Sequence, residues 1–156
     1  MGASPLAGQL PLTISGQTGR IQGADTIYVS GERITLHRVS RTAQGAIDST
    51  TTGSDGQFRF RAAGDTTAIY LVSASYAGIE YFAEPVRVPG VEGIRIVVSD
   101  TSSTAPVRLG TRHLIIRPPD ASGSRAVLDL LSIRNDGPDT RIGPDSLSPS
   151  WQLILP

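Results

Sequence analysis

Histidine is the side chain that most often acts as a base near neutral pH, and this chain has two, His37 and His113. A hydrolytic triad would need one of them beside a serine and a carboxylate. Both lie in predicted strands, beside Arg38 and Arg112 respectively, and the nucleophile-elbow motif Gly-x-Ser-x-Gly does not occur. We therefore expect ordinary strand residues at both positions and assign no catalytic residue.

Three aspartates follow closely near the C-terminus, Asp136, Asp139 and Asp145. Calcium takes oxygen ligands from flexible loops, so these carboxylates would be compatible with a weak calcium site. Their spacing does not match an EF-hand loop, and Asp-Gly and Pro-Asp pairs are ordinary turn formers. Turns are the favoured interpretation here and at Asp55, calcium stays open at the three aspartates, and we assign no metal or cofactor.

The composition excludes several other chemistries. All fourteen basic residues are arginine and there is no cysteine, which rules out Schiff-base lysines, thiolate nucleophiles, disulfides and cysteine-bound metals. Fourteen acidic residues balance the charge, so nucleic acid is a poor partner. No run of about 18 apolar residues occurs, and we expect neither a transmembrane segment nor a signal peptide within this sequence.

The elements that must position these groups are predicted to be β-strands. Seventeen glycines, eleven prolines and 5% aromatic residues favour a loop-rich all-β protein. After an N-terminal arm at 1–11, alternation places Ile34 and Leu36 on one face of a strand, and Phe58 and Phe60 on one face of another. Seven strands are predicted at residues 12–14, 33–40, 46–52, 57–61, 68–76, 79–82 and 94–99, with residues 26–29 as a candidate for a further short strand. About seven strands are expected of an antiparallel Greek-key sandwich.

The C-terminal third is predicted to be a small second β unit that is short of strands. A polar linker at 101–106 precedes it, and 107–156 offers three strands at 112–117, 125–135 and 151–155. The strand at 125–135 has apolar residues on both faces, so both faces need cover. We expect that cover to come from the first domain, from residues beyond this sequence, or from another chain.

The order of four motifs in residues 12–100 resembles the carboxypeptidase regulatory-like, transthyretin-like domain family. The motifs are Ile34-Thr35-Leu36-His37-Arg38-Val39, Gly53-Ser54-Asp55-Gly56-Gln57-Phe58-Arg59-Phe60, Tyr70-Leu71-Val72-Ser73-Ala74-Ser75-Tyr76-Ala77-Gly78 and Ile96-Val97-Val98-Ser99-Asp100. In the family, a "T-D-x-G-x-F-x-F" hairpin precedes a "Y-x-V-x-x-x-x-x-G" strand. Ser54 departs from that pattern, since the family often has an aspartate there.

The resemblance implies a seven-stranded, transthyretin-like or immunoglobulin-like sandwich without carboxypeptidase activity. It also implies a β module of exported or envelope proteins, usually tethered to a catalytic, transport or receptor domain. The tail from Val107 onward looks like the partial second β domain that follows such modules in some bacterial envelope proteins. These implications are expectations about fold, and fold alone does not establish function.

The leading functional hypothesis is a non-enzymatic interaction module. It would be an accessory or scaffolding subunit on the periplasmic or extracellular side of a bacterial envelope or membrane complex, one version being an electron-transfer or photosynthetic complex. Its partners would be other protein subunits. Tyrosine, tryptophan and apolar residues are common interface anchors, so the candidate interaction residues are Tyr76, Tyr81, Phe82, Trp151, Leu153 and Leu155.

Two other hypotheses stay open. A carbohydrate- or peptide-binding module of an exported protein would use Tyr76, Tyr81 and Phe82 or an open sheet edge, with a glycan as the partner. A hydrolase is suggested only by His113 and the aspartate-rich loop.

Overall fold

The computed structural model describes residues 9–87 and 90–153, and every regular element in them is a β-strand. The chain divides into two compact units, Met1–Ser99 and Asp100–Pro156. The first unit contains β1 (Gln9–Gln22), β2 (Asp25–Tyr28), β3 (Arg33–Val39), β4 (Gln44–Thr51), β5 (Gln57–Asp65), β6 (Ile69–Tyr76), β7 (Ile79–Phe82) and β8 (Val91–Val98). The second contains β9 (Thr101–Ser102), β10 (Val107–Ile116), β11 (Val127–Asn135) and β12 (Thr140–Arg141).

The first unit is a sandwich of two four-stranded sheets, which confirms the predicted all-β class. In one sheet, β1 is central: β5 and then β2 pair antiparallel along one side of it, and β8 pairs parallel along the other. The other sheet has the antiparallel order β4-β3-β6-β7. Eight strands are found, one at each predicted segment including the short one at 26–29, which forms β2 and pairs with the end of β1.

The core lies between the two sheets and follows the predicted alternation. Ile34 and Leu36 of β3 and Phe58 and Phe60 of β5 are all buried, as their period-two spacing indicates. Asp55 forms the predicted turn before β5, where its carboxylate accepts a hydrogen bond from the Gln57 backbone N–H at 3.0 Å. The other core members are Leu12, Ile14, Ala68, Tyr70, Val72, Ala74, Val86, Ile96 and Val98.

The first strand is much longer than predicted. Residues 9–11 of the expected arm and residues 15–22 belong to β1, while residues 1–8 lie outside the described part of the chain. Gly16 and Gly19 therefore lie within the strand, and Gly23 lies in the turn to β2. A Cβ at Gly16 would collide with the Ile94 carbonyl oxygen, and one at Gly19 would lie 2.7 Å from the Thr26 Cγ2 methyl. Glycine is needed because neighbouring strands approach closely.

The second unit differs from expectation in three places. Thr101–Ser102, inside the predicted linker, is β9 and pairs parallel with β12. The strand predicted at 112–117 extends back to Val107, across a bulge at Gly110. No strand forms over Trp151–Leu153 of the predicted last strand, where the Ser150 carbonyl instead accepts a hydrogen bond from Arg141 Nε at 3.1 Å; Leu155 lies outside the described residues.

Candidate functional site

The three aromatic residues predicted as one surface point in different directions. Tyr76 and Tyr81 pack against the core of the sandwich, and the Tyr81 hydroxyl donates to the Ser99 carbonyl at 2.9 Å. Phe82 is 55% exposed on the outer face of its sheet, because neighbouring residues of a strand face opposite sides. The sequence could not decide which of Tyr81 and Phe82 faces outward without knowing the strand pairing.

Phe82 lies beside a histidine–serine pair. Its ring centroid is 5.7 Å from that of His37, whose Nε2 lies 2.9 Å from the Ser73 hydroxyl oxygen. Ser73 is paired directly with Phe82 in the β6–β7 register and is fully buried. A nucleophilic serine must be accessible to its substrate, and Ser73 is buried. The His37–Ser73 hydrogen bond therefore serves packing on the outer face of the sheet.

Trp151 and Leu153 of the second unit are half-buried, and Leu155 lies outside the described residues. These positions therefore do not form the largest apolar surface of this unit. That surface belongs to the β10–β11 hairpin, which we call the ribbon.

The ribbon is a two-stranded antiparallel hairpin with large apolar side chains in solvent. Nine residue pairs join β10 to β11, from Val107 opposite Asn135 to Ile116 opposite Val127. Eight large apolar residues of the ribbon are 42–57% exposed: Leu109, Leu114, Ile115, Ile116, Val127, Leu128, Leu130 and Ile133. A lone two-stranded hairpin is marginally stable in water and does not ordinarily present so many exposed apolar side chains.

The two faces of the ribbon differ in chemistry. The register places Val107, Leu109, Arg112, Leu114, Ile116, Val127, Asp129, Leu131 and Ile133 on one side, which we call the apolar face. Arg108, Thr111, His113, Ile115, Leu128, Leu130, Ser132 and Arg134 occupy the other side, which we call the mixed face. The prediction that residues 125–135 carry apolar side chains on both faces thus describes β11 correctly. In β10, by contrast, most of the apolar side chains lie on the apolar face.

One ion pair lies within the apolar face. Arg112 Nη2 lies 2.7 Å from Asp129 Oδ2, and Arg112 Nε lies 3.0 Å from Asp129 Oδ1, so the contact is bidentate. The hydrogen bond to Asp129 raises the pKa of Arg112 further above its ordinary value. Because the guanidinium and the carboxylate hydrogen-bond to each other, the ion pair does not need to remain exposed to water. It therefore does not prevent a partner from covering the apolar face.

Charged groups close both ends of the ribbon. Asp136 pairs with Arg108 and, at 3.6 Å, with Arg134. In the loop between β10 and β11, one carboxylate oxygen of Asp120 accepts hydrogen bonds from the Ser122 hydroxyl at 2.6 Å and from the Ser124 backbone N–H at 3.0 Å. These bonds hold the pKa of Asp120 below its usual value.

The three aspartates considered for calcium have separate partners. Asp136 faces arginines, and Asp145 accepts backbone hydrogen bonds from Leu147 and Ser148 at 2.9 and 2.8 Å. The backbone carbonyl of Asp139 accepts a hydrogen bond from the Asn135 side-chain amide at 2.7 Å. Within residues 9–87 and 90–153, no three histidine, aspartate or glutamate side chains converge in a way that could hold a metal ion.

A second exposed patch lies on the outer face of the sheet centred on β1. Tyr28, Gly19 and Val97 form one row across β2, β1 and β8. The Tyr28 ring, 48% exposed, lies over Gly19, where an added Cβ would be 3.6 Å from a ring carbon. A pocket of 160 Å³ opens here and shares Gln17 and Arg95 with a neighbouring cavity of 670 Å³.

Sequence reasoning missed Tyr28 and the apolar residues of β10. For β10, the signal was the Leu-Ile-Ile run at 114–116 between arginines. For Tyr28, the signal was its place in a short strand, two residues after the polar Thr26, which puts both side chains on the same face. Its exposure, however, depends on Gly19 of the neighbouring strand.

Comparison with family models, curated proteins and solved structures finds no match to this chain. No helix capable of spanning a membrane occurs in the described residues. The site is therefore interpreted from its own geometry.

Proposed function

We propose that this protein is a non-enzymatic interaction module whose second unit docks onto another protein through the ribbon. The observation that carries the proposal is the exposure of eight large apolar side chains on one two-stranded hairpin. Five of the eight lie together on the apolar face, and apolar patches of this kind are typical of interaction sites, since their exposure to water costs free energy.

The setting of the interaction is part of the same proposal. We place the protein on the periplasmic or extracellular side of a bacterial envelope, as an accessory or scaffolding subunit of an envelope or membrane complex. A peripheral subunit of an electron-transfer or photosynthetic complex is one version. Support comes from the resemblance of residues 12–100 to carboxypeptidase regulatory-like modules and from their sandwich fold.

The proposal is tested by site-specific photo-cross-linking in cells that make the protein. A benzophenone side chain replaces Leu114 on the apolar face, and the matched control carries it at Ile47, an apolar β4 residue that is 41% exposed. We expect one protein to be captured in stoichiometric yield from position 114 and not from position 47. A chain that yields no adduct from position 114 and sediments as a folded monomer would contradict the proposal.

The carbohydrate- or peptide-binding alternative is favoured by the Tyr28 pocket. An exposed ring over a glycine, next to Gln17 and Arg95, offers a stacking surface beside hydrogen-bonding groups. A glycan and peptide array probed with the native chain and with the Tyr28→Ser variant tests it. Binding that disappears in the variant would support this function, and an array without hits would argue against it.

A further inference from the structure

The two edges of the ribbon differ in regularity. The β10 strand is interrupted at Gly110, where two of its residues oppose one of β11. A Cβ at Gly110 would lie 3.3 Å from the Ser132 carbonyl oxygen, so the bulge holds the two backbones close together. The β11 strand runs from Val127 to Asn135 without a bulge or a proline. An incoming strand can therefore form a longer uninterrupted ladder with β11 than with β10.

The ribbon also has a net positive charge, although the whole chain is neutral. Residues 107–136, which include the Asp136 that pairs with Arg108 and Arg134, contain five arginines and three aspartates, a formal net charge of +2 with histidine neutral. Asp129 is taken by Arg112, and Asp120 accepts hydrogen bonds from serines of its own loop. Among the described residues, no carboxylate lies within ion-pair distance of Arg117 or Arg125, which lie in the loop between β10 and β11.

We infer that the ribbon accepts an extended acidic segment of another protein, which adds as a strand to the edge of β11 that is unpaired in the described residues and widens the apolar face. This inference rests on the proposed function and specifies the partner's chemistry. Strand addition satisfies the outward-pointing backbone groups of an edge strand, and flanking side chains supply specificity.

The register predicts the pattern of the incoming segment. On the apolar face its side chains would lie beside Val127, Leu131 and Ile133, where apolar residues fit. On the mixed face, alternate side chains would lie beside Leu128, Leu130, Ser132 and Arg134, with Arg117 and Arg125 at the loop end of the ladder. A strand that alternates apolar and acidic residues matches both faces.

A second copy of the chain is a poorer occupant. Nine residue pairs at a rise of ~3.3 Å and two strands ~4.8 Å apart give a face of roughly 300 Å². A stable interface between two folded proteins buries about 800 Å² on each partner, so two ribbons packed face to face fall short, whereas an added strand also gains main-chain hydrogen bonds. Pairing β11 with β11 would also bring two ribbons of charge +2 together.

A lipid surface fits less well than a protein strand. The loop beyond the most exposed apolar residues carries Pro118, Pro119, Asp120, Ser122 and Ser124. The carboxylate and hydroxyl groups of this tip would have to enter the bilayer before the apolar residues could.

The test uses the full chain, labelled for NMR, and a nine-residue peptide alternating valine and glutamate with blocked ends. Two control peptides keep the same length: one replaces glutamate by lysine, and one is methylated at alternate backbone nitrogens. We expect the acidic peptide to shift β11 resonances and to slow solvent exchange of the β11 amides that point away from β10. The lysine peptide should bind about tenfold more weakly or worse, and the methylated peptide should not bind.

Several outcomes would overturn the inference. They are equal binding of the lysine peptide, equal binding of the methylated peptide, and shifts confined to residues 9–87. Concentration-dependent dimerisation through the ribbon, or binding of the ribbon to anionic phospholipid vesicles, would assign a different occupant. Each of these outcomes leaves the cross-linking test at position 114 to decide the proposed function separately.

Discussion

The imidazole Nε2 of His37 lies 2.9 Å from the hydroxyl oxygen of Ser73, and Ser73 has no surface exposed to solvent. This pair has the residue types of a hydrolytic dyad but lacks access, because Ser73 lies inside the sheet between its neighbours. The pair links β3 to β6 and supports the ring of Phe82 on the outer face. Its function in the fold can be separated from catalysis by two measurements.

The first prediction concerns the stability supplied by this hydrogen bond. The Ser73→Ala variant should fold and lose about 1 kcal/mol of unfolding free energy, because the half-buried imidazole loses its partner. Urea denaturation followed by far-ultraviolet circular dichroism measures the change, with Ser49→Ala on exposed β4 as the control. A fluorophosphonate serine probe should leave the native chain unlabelled, and labelling at Ser73 would contradict the structural interpretation.

The second prediction separates two glycines of β1. Gly19→Ala should cost about 1–3 kcal/mol, because the new methyl group meets the Thr26 Cγ2 atom at 2.7 Å. Adding Thr26→Ser removes that methyl group and should restore about half of the loss. Gly16→Ala should have no comparable rescue, since it meets the backbone carbonyl of Ile94.

Thermal denaturation of Gly19→Ala, Thr26→Ser and the double variant measures the coupling between the two sites. Additive losses would show that the two side chains do not meet, contrary to the 2.7 Å approach of a Cβ at position 19 to the Thr26 Cγ2 atom.

The third prediction concerns the ribbon in the isolated chain. Leu114→Asp should change the unfolding free energy by about 1 kcal/mol or less, because Leu114 is 55% exposed and has few contacts to lose. The same variant should bind less of a dye that fluoresces on apolar surfaces. It should also no longer bind the partner protein that the ribbon is proposed to contact. Ile47→Asp makes the same substitution on β4 and should keep the partner. Equal loss of the partner in both variants would indicate a general effect on the fold.

The fourth prediction concerns pH and the loop between β10 and β11. The Ser122 hydroxyl, followed by the backbone N–H groups of Ser122 and Ser124, lowers the pKa of Asp120 from its ordinary 3.8. A carboxylate whose pKa is lowered by folding stabilises the folded loop above its unfolded pKa, and this contribution is lost as pH falls through the folded pKa. The loop should therefore be ordered at pH 6 and loosen only below pH 3.8.

Carbon-detected NMR of the Asp120 carboxylate, together with the Ser122 and Ser124 amide shifts, follows this transition. In Asp120→Asn the amide shifts should no longer change over this range, because no carboxylate remains to titrate. A midpoint for Asp120 at or above 3.8 would contradict the hydrogen-bonded loop.

The sequence predicted those features that depend on the order of residues within one strand. Alternation was enough to place Ile34 and Leu36, and Phe58 and Phe60, in the core. It was also enough to indicate apolar side chains on both faces of the strand at 125–135. The length of β1 was not predictable in this way, because Gly16 and Gly19 are typical of turns until the neighbouring strands are known.

Features that depend on pairing between distant strands were missed or remained open. The proximity of His37 and Ser73 requires the register of β3 on β6, and the exposure of Phe82 requires that of β6 on β7. The surface at Tyr28 depends on Gly19 of another strand in the same way. A local pattern contains no information on such registers, so the candidate surfaces were only partly predictable.

The central position of β1 also determines when the first unit can fold. Ile14 pairs with Val91 and Arg20 with Val98, so β1 bridges the beginning and the end of this unit. During synthesis the N-terminal strand emerges first, yet half of its ladder has no partner until β8 has been made. Such distant pairings fold slowly because the intervening chain must first be ordered. The first strand of this unit to be synthesised is thus among the last to be fixed in place.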